Sequence, residues 1–131
     1  MDLLPETFER EEQLLRAVLP ADRRPDYWKG NRLSSAVFKD KKGLSVERTY
    51  DRSLEASVQF MRGHLSGNIA SVTVGDCEST DAVVVYLPSL HNKYHSEIHG
   101  SAETKALNPH QARFLAERAQ MVYSVVSIST T

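Results

Sequence analysis

The sequence contains very little cysteine and no long apolar run. Cys77 is the one cysteine among 131 residues, so no disulfide can form within the chain, which favours a reducing compartment. No apolar run approaches the roughly 20 residues that span a bilayer, and the N-terminus is acidic where a signal peptide would be basic. These features predict a cytoplasmic protein with no membrane segment.

The sequence also lacks a strong excess of charge of either sign, and it has no glycine-rich phosphate loop of the kinase or dinucleotide type. The formal net charge is -1, which does not mark the whole chain as a nucleic-acid binder. The charge is unevenly distributed, because residues 22–52 contain nine Lys and Arg against five Asp and Glu. This segment is therefore the candidate for contact with an anionic partner.

The length corresponds to one domain, which we expect to span residues 1–131. The spacing of apolar residues and the capping residues predict helices over residues 5–18, 53–63 and 109–121. The polar segment 75–81 is interpreted as a connection. Helices and strands are interleaved without βαβ regularity, so the expected fold is α+β, a mainly antiparallel sheet with about three helices packed on one side.

Short runs rich in β-branched residues indicate the strands. Residues 33–38 and 44–48 are expected to form a hairpin in which Gly43 supplies a positive φ. Residues 69–74 and 82–87 are expected to be strands, the second more buried than the first. Residues 122–128 are apolar enough to add an edge strand at the C-terminus.

Three of the five histidines lie between His91 and His99. In an extended segment the side chains alternate between faces, so His95, Glu97 and His99 would form a row on one face of a strand. Histidine titrates near neutral pH, and Glu97 could fix its tautomer, so the row is a candidate acid–base pair. A metal would need further ligands from Asp76, Glu78 or Asp81, and no metal site is predicted. The alternative is that these three side chains have no catalytic role and form the solvent-exposed face of a strand.

A second group of candidate residues begins at Trp28. Arg32, with Lys29, Ser34 and Ser35, could hold a phosphate, because guanidinium and hydroxyl groups donate several hydrogen bonds to it. Trp28 could stack on a base. The alternative is that Trp28 anchors the core while the other side chains are merely exposed. Cys77 is not expected to be a nucleophile, because Asp76 and Glu78 should raise its pKa.

The order Arg32, then Ser34 and Ser35, then Glu97 resembles the arginine, serine and glutamate layout of small ADP-ribosyltransferase domains. The resemblance covers these single residues. It implies that the arginine and serine hold the NAD dinucleotide and that the glutamate stabilises the reacting ribose.

Three functional hypotheses follow from these patterns. The first is an enzyme acting on a nucleotide or RNA phosphodiester, in which His95 and Glu97 act as acid and base and Arg32 holds the phosphate. This set of histidine, glutamate and arginine resembles the sets that bacterial toxin-like nucleases use. The second is a noncatalytic partner of another protein, of the immunity or antitoxin kind or a homodimer, which pairs through the C-terminal edge strand. The third is the NAD-using transferase. No cofactor is specified by the residues themselves.

Overall fold

The computed structural model describes residues 2–125. Within this range the three α-helices are α1 (Leu54–Arg62), α2 (Val74–Ser79) and α3 (Pro109–Arg118). The strands, in chain order, are β1 (Gln13–Val18), β2 (Trp28–Lys29), β3 (Arg32–Leu33), β4 (Leu44–Arg48), β5 (Asn68–Thr73), β6 (Val83–Tyr86), β7 (His95–His99) and β8 (Gln120–Tyr123). The fold is α+β, as expected.

Six of the strands form one antiparallel sheet in the order β6-β7-β4-β1-β5-β8, and β2 and β3 form a separate two-stranded ribbon. No helix within residues 2–125 is long and apolar enough to cross a membrane. β8 lies at one edge of the sheet, as predicted for the C-terminus. Of the rest of the predicted edge strand, residues 124 and 125 are not part of β8, and residues 126–128 lie outside the described residues.

The sheet has a hydrophobic core on each face, and β1 contributes to both. Leu14 belongs to the larger core, together with Ala112 and Leu115 of α3. Leu15 points to the opposite face and packs in a smaller core with Met61 of α1. We call these two sides the α3 face and the α1 face. The expectation that all helices lie on one side of the sheet is therefore wrong.

The predicted helix over residues 5–18 is also wrong, because residues 13–18 form the central strand β1. Residues 2–12 are mostly irregular and are held by the buried guanidinium of Arg48. Its Nε and Nη2 donate to the Glu12 carboxylate at 2.8 and 2.9 Å, and Nη1 donates to the Pro5 carbonyl at 2.6 Å. The Phe8 ring lies 4.0 Å from the guanidinium carbon. The ion pair between Glu12 and Arg48, which are 36 residues apart in sequence, thus holds this segment against the sheet. Residues 5–12 form no helix.

The predicted hairpin over residues 33–48 is wrong, although Gly43 does have a positive φ of 99°. Ser35–Phe38 form a short 3₁₀ helix, in which Val37 and Phe38 are buried in the larger core. β4 pairs instead with β1 and β7. Burial of these two side chains in a tight turn outweighs the strand preference of the segment.

Three further features differ from the expectation: a helix, an order of burial and a helix end. The expected connection 75–81 contains α2, which begins at a capping box between Thr73 and Asp76. β6 is an edge strand with partly exposed side chains and β5 is nearly all buried, so the predicted order of burial is reversed. α3 ends at Arg118, and Gln120–Tyr123 turn back as β8. The predicted helix at 53–63 is confirmed as α1.

Candidate functional sites

The histidine and glutamate row lies on the α1 face of the sheet. His95 is paired with Glu47, and Glu47 is paired with Leu15, so all three side chains project to the same side. Glu97 and His99 follow at alternate positions of β7. The His95–His99 strand and its predicted alternation are therefore present, with Ser96 and Ile98 buried on the opposite face.

Glu97 forms a close pair with His99 rather than with His95. His99 Nε2 lies 2.7 Å from Glu97 Oε1, and the two side chains are 13% and 17% exposed. The imidazole of His95 is directed to the backbone, with Nδ1 2.8 Å from the Leu87 carbonyl oxygen. A Cβ at Gly43 would collide with the Glu97 carboxylate, so glycine there leaves room for the pair. The imidazole nitrogen and the carboxylate oxygen are therefore within hydrogen-bond distance of each other.

No three His, Cys, Asp or Glu side chains in residues 2–125 are grouped so that they could hold a metal ion. Two of the three acids that could have joined the histidine row in a metal site have other partners. Asp76 accepts from the Thr73 amide in the α2 capping box, and Glu78 pairs with Arg10. Cys77 is fully buried, and burial, with smaller contributions from Asp76 and Glu78, raises the pKa of its thiol to about 12. A nucleophilic thiolate is accordingly disfavoured.

Most of the predicted phosphate-binding residues lie together in a groove on the α3 face, which we call the basic groove. The groove has a volume of about 870 Å³ between the β2–β3 ribbon, the 3₁₀ helix and α3. Its residues are Lys29, Asn31, Arg32, Leu33, Ser34, Ser35, Lys39, Pro109, Arg113, Ala116, Glu117, Ala119 and Met121.

Four cations line the basic groove, namely Lys29, Arg32, Lys39 and Arg113, against the single carboxylate of Glu117. None of the four forms an ion pair with a carboxylate in the described part of the chain. Lys39 belongs to the basic segment noted in the sequence. Arg113 was not predicted, because no local pattern indicates that α3 lines the same groove as Arg32.

Two of the predicted ligand residues have structural contacts. Trp28 does not line the groove; its indole nitrogen donates to the Leu19 carbonyl at 3.0 Å, and its ring packs against the larger core. The Ser34 hydroxyl caps the 3₁₀ helix by accepting from the Ala36 amide at 3.3 Å, and it donates to the Asp26 carbonyl. Ser35 is the serine whose hydroxyl has no such contact among the described hydrogen bonds.

The two candidate sites lie on opposite faces of the sheet. The basic groove borders α3, whereas the His99–Glu97 pair is on the α1 face. Arg32 therefore does not share a cleft with Glu97 or His95. A single site that combines phosphate binding with His95 and Glu97, or the ADP-ribosyltransferase layout of Arg32, Ser34 and Glu97, is not assembled in this structure.

Comparisons with protein-family models, with curated proteins and with solved structures find no match to this chain.

Proposed function

We propose that the chain binds a phosphate-bearing ligand, a nucleotide or an RNA segment, in the basic groove. The observation that supports this proposal most directly is the set of four cations that converge on one groove without carboxylate partners in the described residues. Unpaired Lys and Arg side chains around a concave surface raise the local concentration of anions. Arg32 and Arg113 can each present a bidentate fork to phosphate oxygens.

The remaining groove residues suit the rest of a nucleotide. Leu33, Ala116, Ala119 and Met121 provide apolar surface for a base or a ribose face, and Asn31 and Ser35 provide polar groups that could orient it. The groove volume of about 870 Å³ falls within the roughly 300–1,000 Å³ of small-molecule sites.

The test is direct binding of ATP and of a labelled single-stranded RNA decamer, by calorimetry and fluorescence anisotropy respectively. Replacing Arg32 or Arg113 by Ala should weaken binding about tenfold each, because each removes roughly one charge-assisted contact of 1.5 kcal/mol or more. The RNA arm should also lose part of its salt dependence. Arg62→Ala is the matched control, since Arg62 is an exposed α1 residue that stacks on Tyr123 outside the groove.

The two ligands distinguish the two sources of phosphate. Tighter binding of ATP than of the decamer would assign the groove to a nucleotide, and the reverse would assign it to RNA. Absence of binding by both, or equal losses in Arg32→Ala and Arg62→Ala, would contradict the proposal.

Acid–base hydrolysis of a phosphodiester at the histidine row is a second proposal. The 2.7 Å contact between His99 and Glu97 favours it, and the substrate would have to lie on the α1 face. Glu97→Gln and His99→Ala should then abolish turnover of a labelled RNA or cyclic nucleotide while leaving the melting temperature within a few degrees. Unchanged turnover in both variants, or no turnover by the unmodified protein, would contradict a catalytic role.

A further inference from the structure

The basic groove contains one carboxylate among its four cations, and no cation of the described residues pairs with it. Glu117 lines the groove and is exposed to solvent. It forms no ion pair with a Lys, Arg or His side chain of residues 2–125. A carboxylate opposes the binding of phosphate, so its contribution to the groove must be of another kind. Its two oxygens can accept hydrogen bonds from a ligand.

The helix α3 presents this carboxylate and a cation to the groove on successive turns. Its groove residues are Pro109, Arg113, Ala116 and Glu117, which recur at the three- and four-residue spacing of one helix side. Four residues of α-helix rise about 6 Å, so Glu117 is attached roughly one turn further along the axis than Arg113. The groove therefore has a cation nearer the start of α3 and a carboxylate nearer its end.

Apolar surface adjoins the carboxylate at this end of the groove. Ala116 precedes Glu117 by one position, and Ala119 and Met121 follow it where the chain turns from α3 into β8. All three apolar side chains are partly buried against the larger core. This part of the groove thus combines apolar contact with a hydrogen-bond acceptor, which suits a ring that carries donors on its edge.

Guanine is the RNA base whose edge matches a carboxylate best. An ionised carboxylate only accepts hydrogen bonds, and its two oxygens can accept two parallel ones. The Watson–Crick edge of guanine places two donors, the N1–H and the 2-amino group, next to each other. Adenine and cytosine place an acceptor nitrogen beside their amino group, and uracil has a carbonyl on each side of its one N–H. A carboxylate is therefore repelled by part of each of these three edges.

We propose that the basic groove selects guanine nucleotides, with the phosphates on Arg113 and the other groove cations and the guanine edge on the carboxylate of Glu117. This inference rests on the proposed binding of a phosphate-bearing ligand in the same groove, and it adds the identity of the base. Four cations suit a polyphosphate better than a single phosphate group. Glu117 then determines specificity and does not contribute to phosphate affinity.

The test compares GTP, inosine triphosphate and ATP, each titrated into the full chain by isothermal calorimetry at neutral pH in EDTA. The three carry the same triphosphate, and the inosine nucleotide keeps the N1–H of GTP but lacks its 2-amino group. GTP should bind at least about tenfold more tightly than ATP, with inosine triphosphate between them, because hydrogen bonds to a charged group are lost in turn.

The outcomes separate this inference from the proposed function. Equal affinities, or a preference for ATP, would overturn the selection of guanine and leave the phosphate site in place. No binding of any of the three nucleotides would overturn both proposals. Phosphoethanolamine, which would place an ammonium group on the carboxylate, should bind more weakly than GTP, and tighter binding would overturn the assignment to a base.

Glu117→Gln separates recognition of the base from binding of the phosphates. The variant removes a negative charge, so ATP should bind at least as tightly as before, while the ratio of the GTP and ATP affinities should fall to near one. Arg113→Ala should instead weaken all three nucleotides by a similar factor. Glu55→Gln, the same substitution at an exposed position of α1 on the opposite face, should leave the ratio unchanged. A GTP preference that survives Glu117→Gln, or that Glu55→Gln abolishes equally, would overturn the assignment.

Discussion

At the scale of single residues, six of the nine Lys and Arg side chains of residues 22–52 form two groups with different roles. Arg48 and Arg52 are paired inside the protein with Glu12 and Glu47, and Arg24 is paired with Asp26. Lys29, Arg32 and Lys39 line the basic groove instead. The sequence predicts the excess of charge, but it cannot separate these groups, because the partner of the most buried cation, Arg48, lies 36 residues away and is defined only by tertiary contacts.

Arg48 should be the most costly of these cations to remove. Its side chain is 0% exposed, and the partner Glu12 is 6% exposed. Arg48→Met would leave a buried carboxylate without a cation and should lower the free energy of unfolding by about 3–5 kcal/mol. Urea denaturation checks this value.

Two controls accompany the Arg48 measurement. Arg32→Met, an exposed cation of the groove, should change stability by only about 0.5 kcal/mol. The double variant Glu12→Leu with Arg48→Met should cost less than Arg48→Met alone, since it removes the uncompensated charge as well. A loss below about 1 kcal/mol in Arg48→Met would show that the pair is not isolated from water.

At the scale of elements, the sequence predicts best where the signal is local. α1 is capped by Ser53, whose hydroxyl accepts from the Ala56 amide at 3.0 Å, and Gly63 follows its last residue. α3 is capped by Asn108, whose side chain accepts from the Gln111 amide at 2.8 Å. These caps use residues within four positions of each other, so they can be recognised without the fold.

Elements that depend on distant contacts are the ones that the sequence misassigns. β1 carries helix-compatible spacing, yet it lies at the centre of the sheet and buries Leu14 and Leu15 on opposite faces. An apolar run such as that of β6 suggests a buried strand, but its position at the sheet edge exposes it. Periodicity reports which residues are apolar and not which strand will be central.

At the scale of the whole molecule, strand order decides which candidate residues can act together. The row on β7 and the group around Arg32 were both recognised in the sequence, and the structure retains both as compact groups. Their relative position depends on the register from β1 through β4 to β7. A shift of one residue would move the row to the other face, so no pattern in the chain predicts whether the two groups meet.

The sharing of β1 by both cores has a consequence for unfolding. Leu14 and Leu15 are each 0% exposed and adjacent, one in each core. Neither core can open without disturbing the strand that supports the other, so we expect one cooperative transition, as is usual for domains of this size. Leu14→Ala and Leu15→Ala should each lower the free energy of unfolding by about 2–5 kcal/mol.

The measurement follows each face separately during urea denaturation. Trp28 fluorescence reports on the α3 face, where its ring packs against the larger core, and the ring-proton NMR signal of His64 reports on the α1 face. In the unmodified protein and in both variants the two midpoints should coincide. If Leu15→Ala shifted the His64 midpoint and left that of Trp28 in place, the two faces would unfold independently. The basic groove would then persist while the smaller core on the α1 face unfolds.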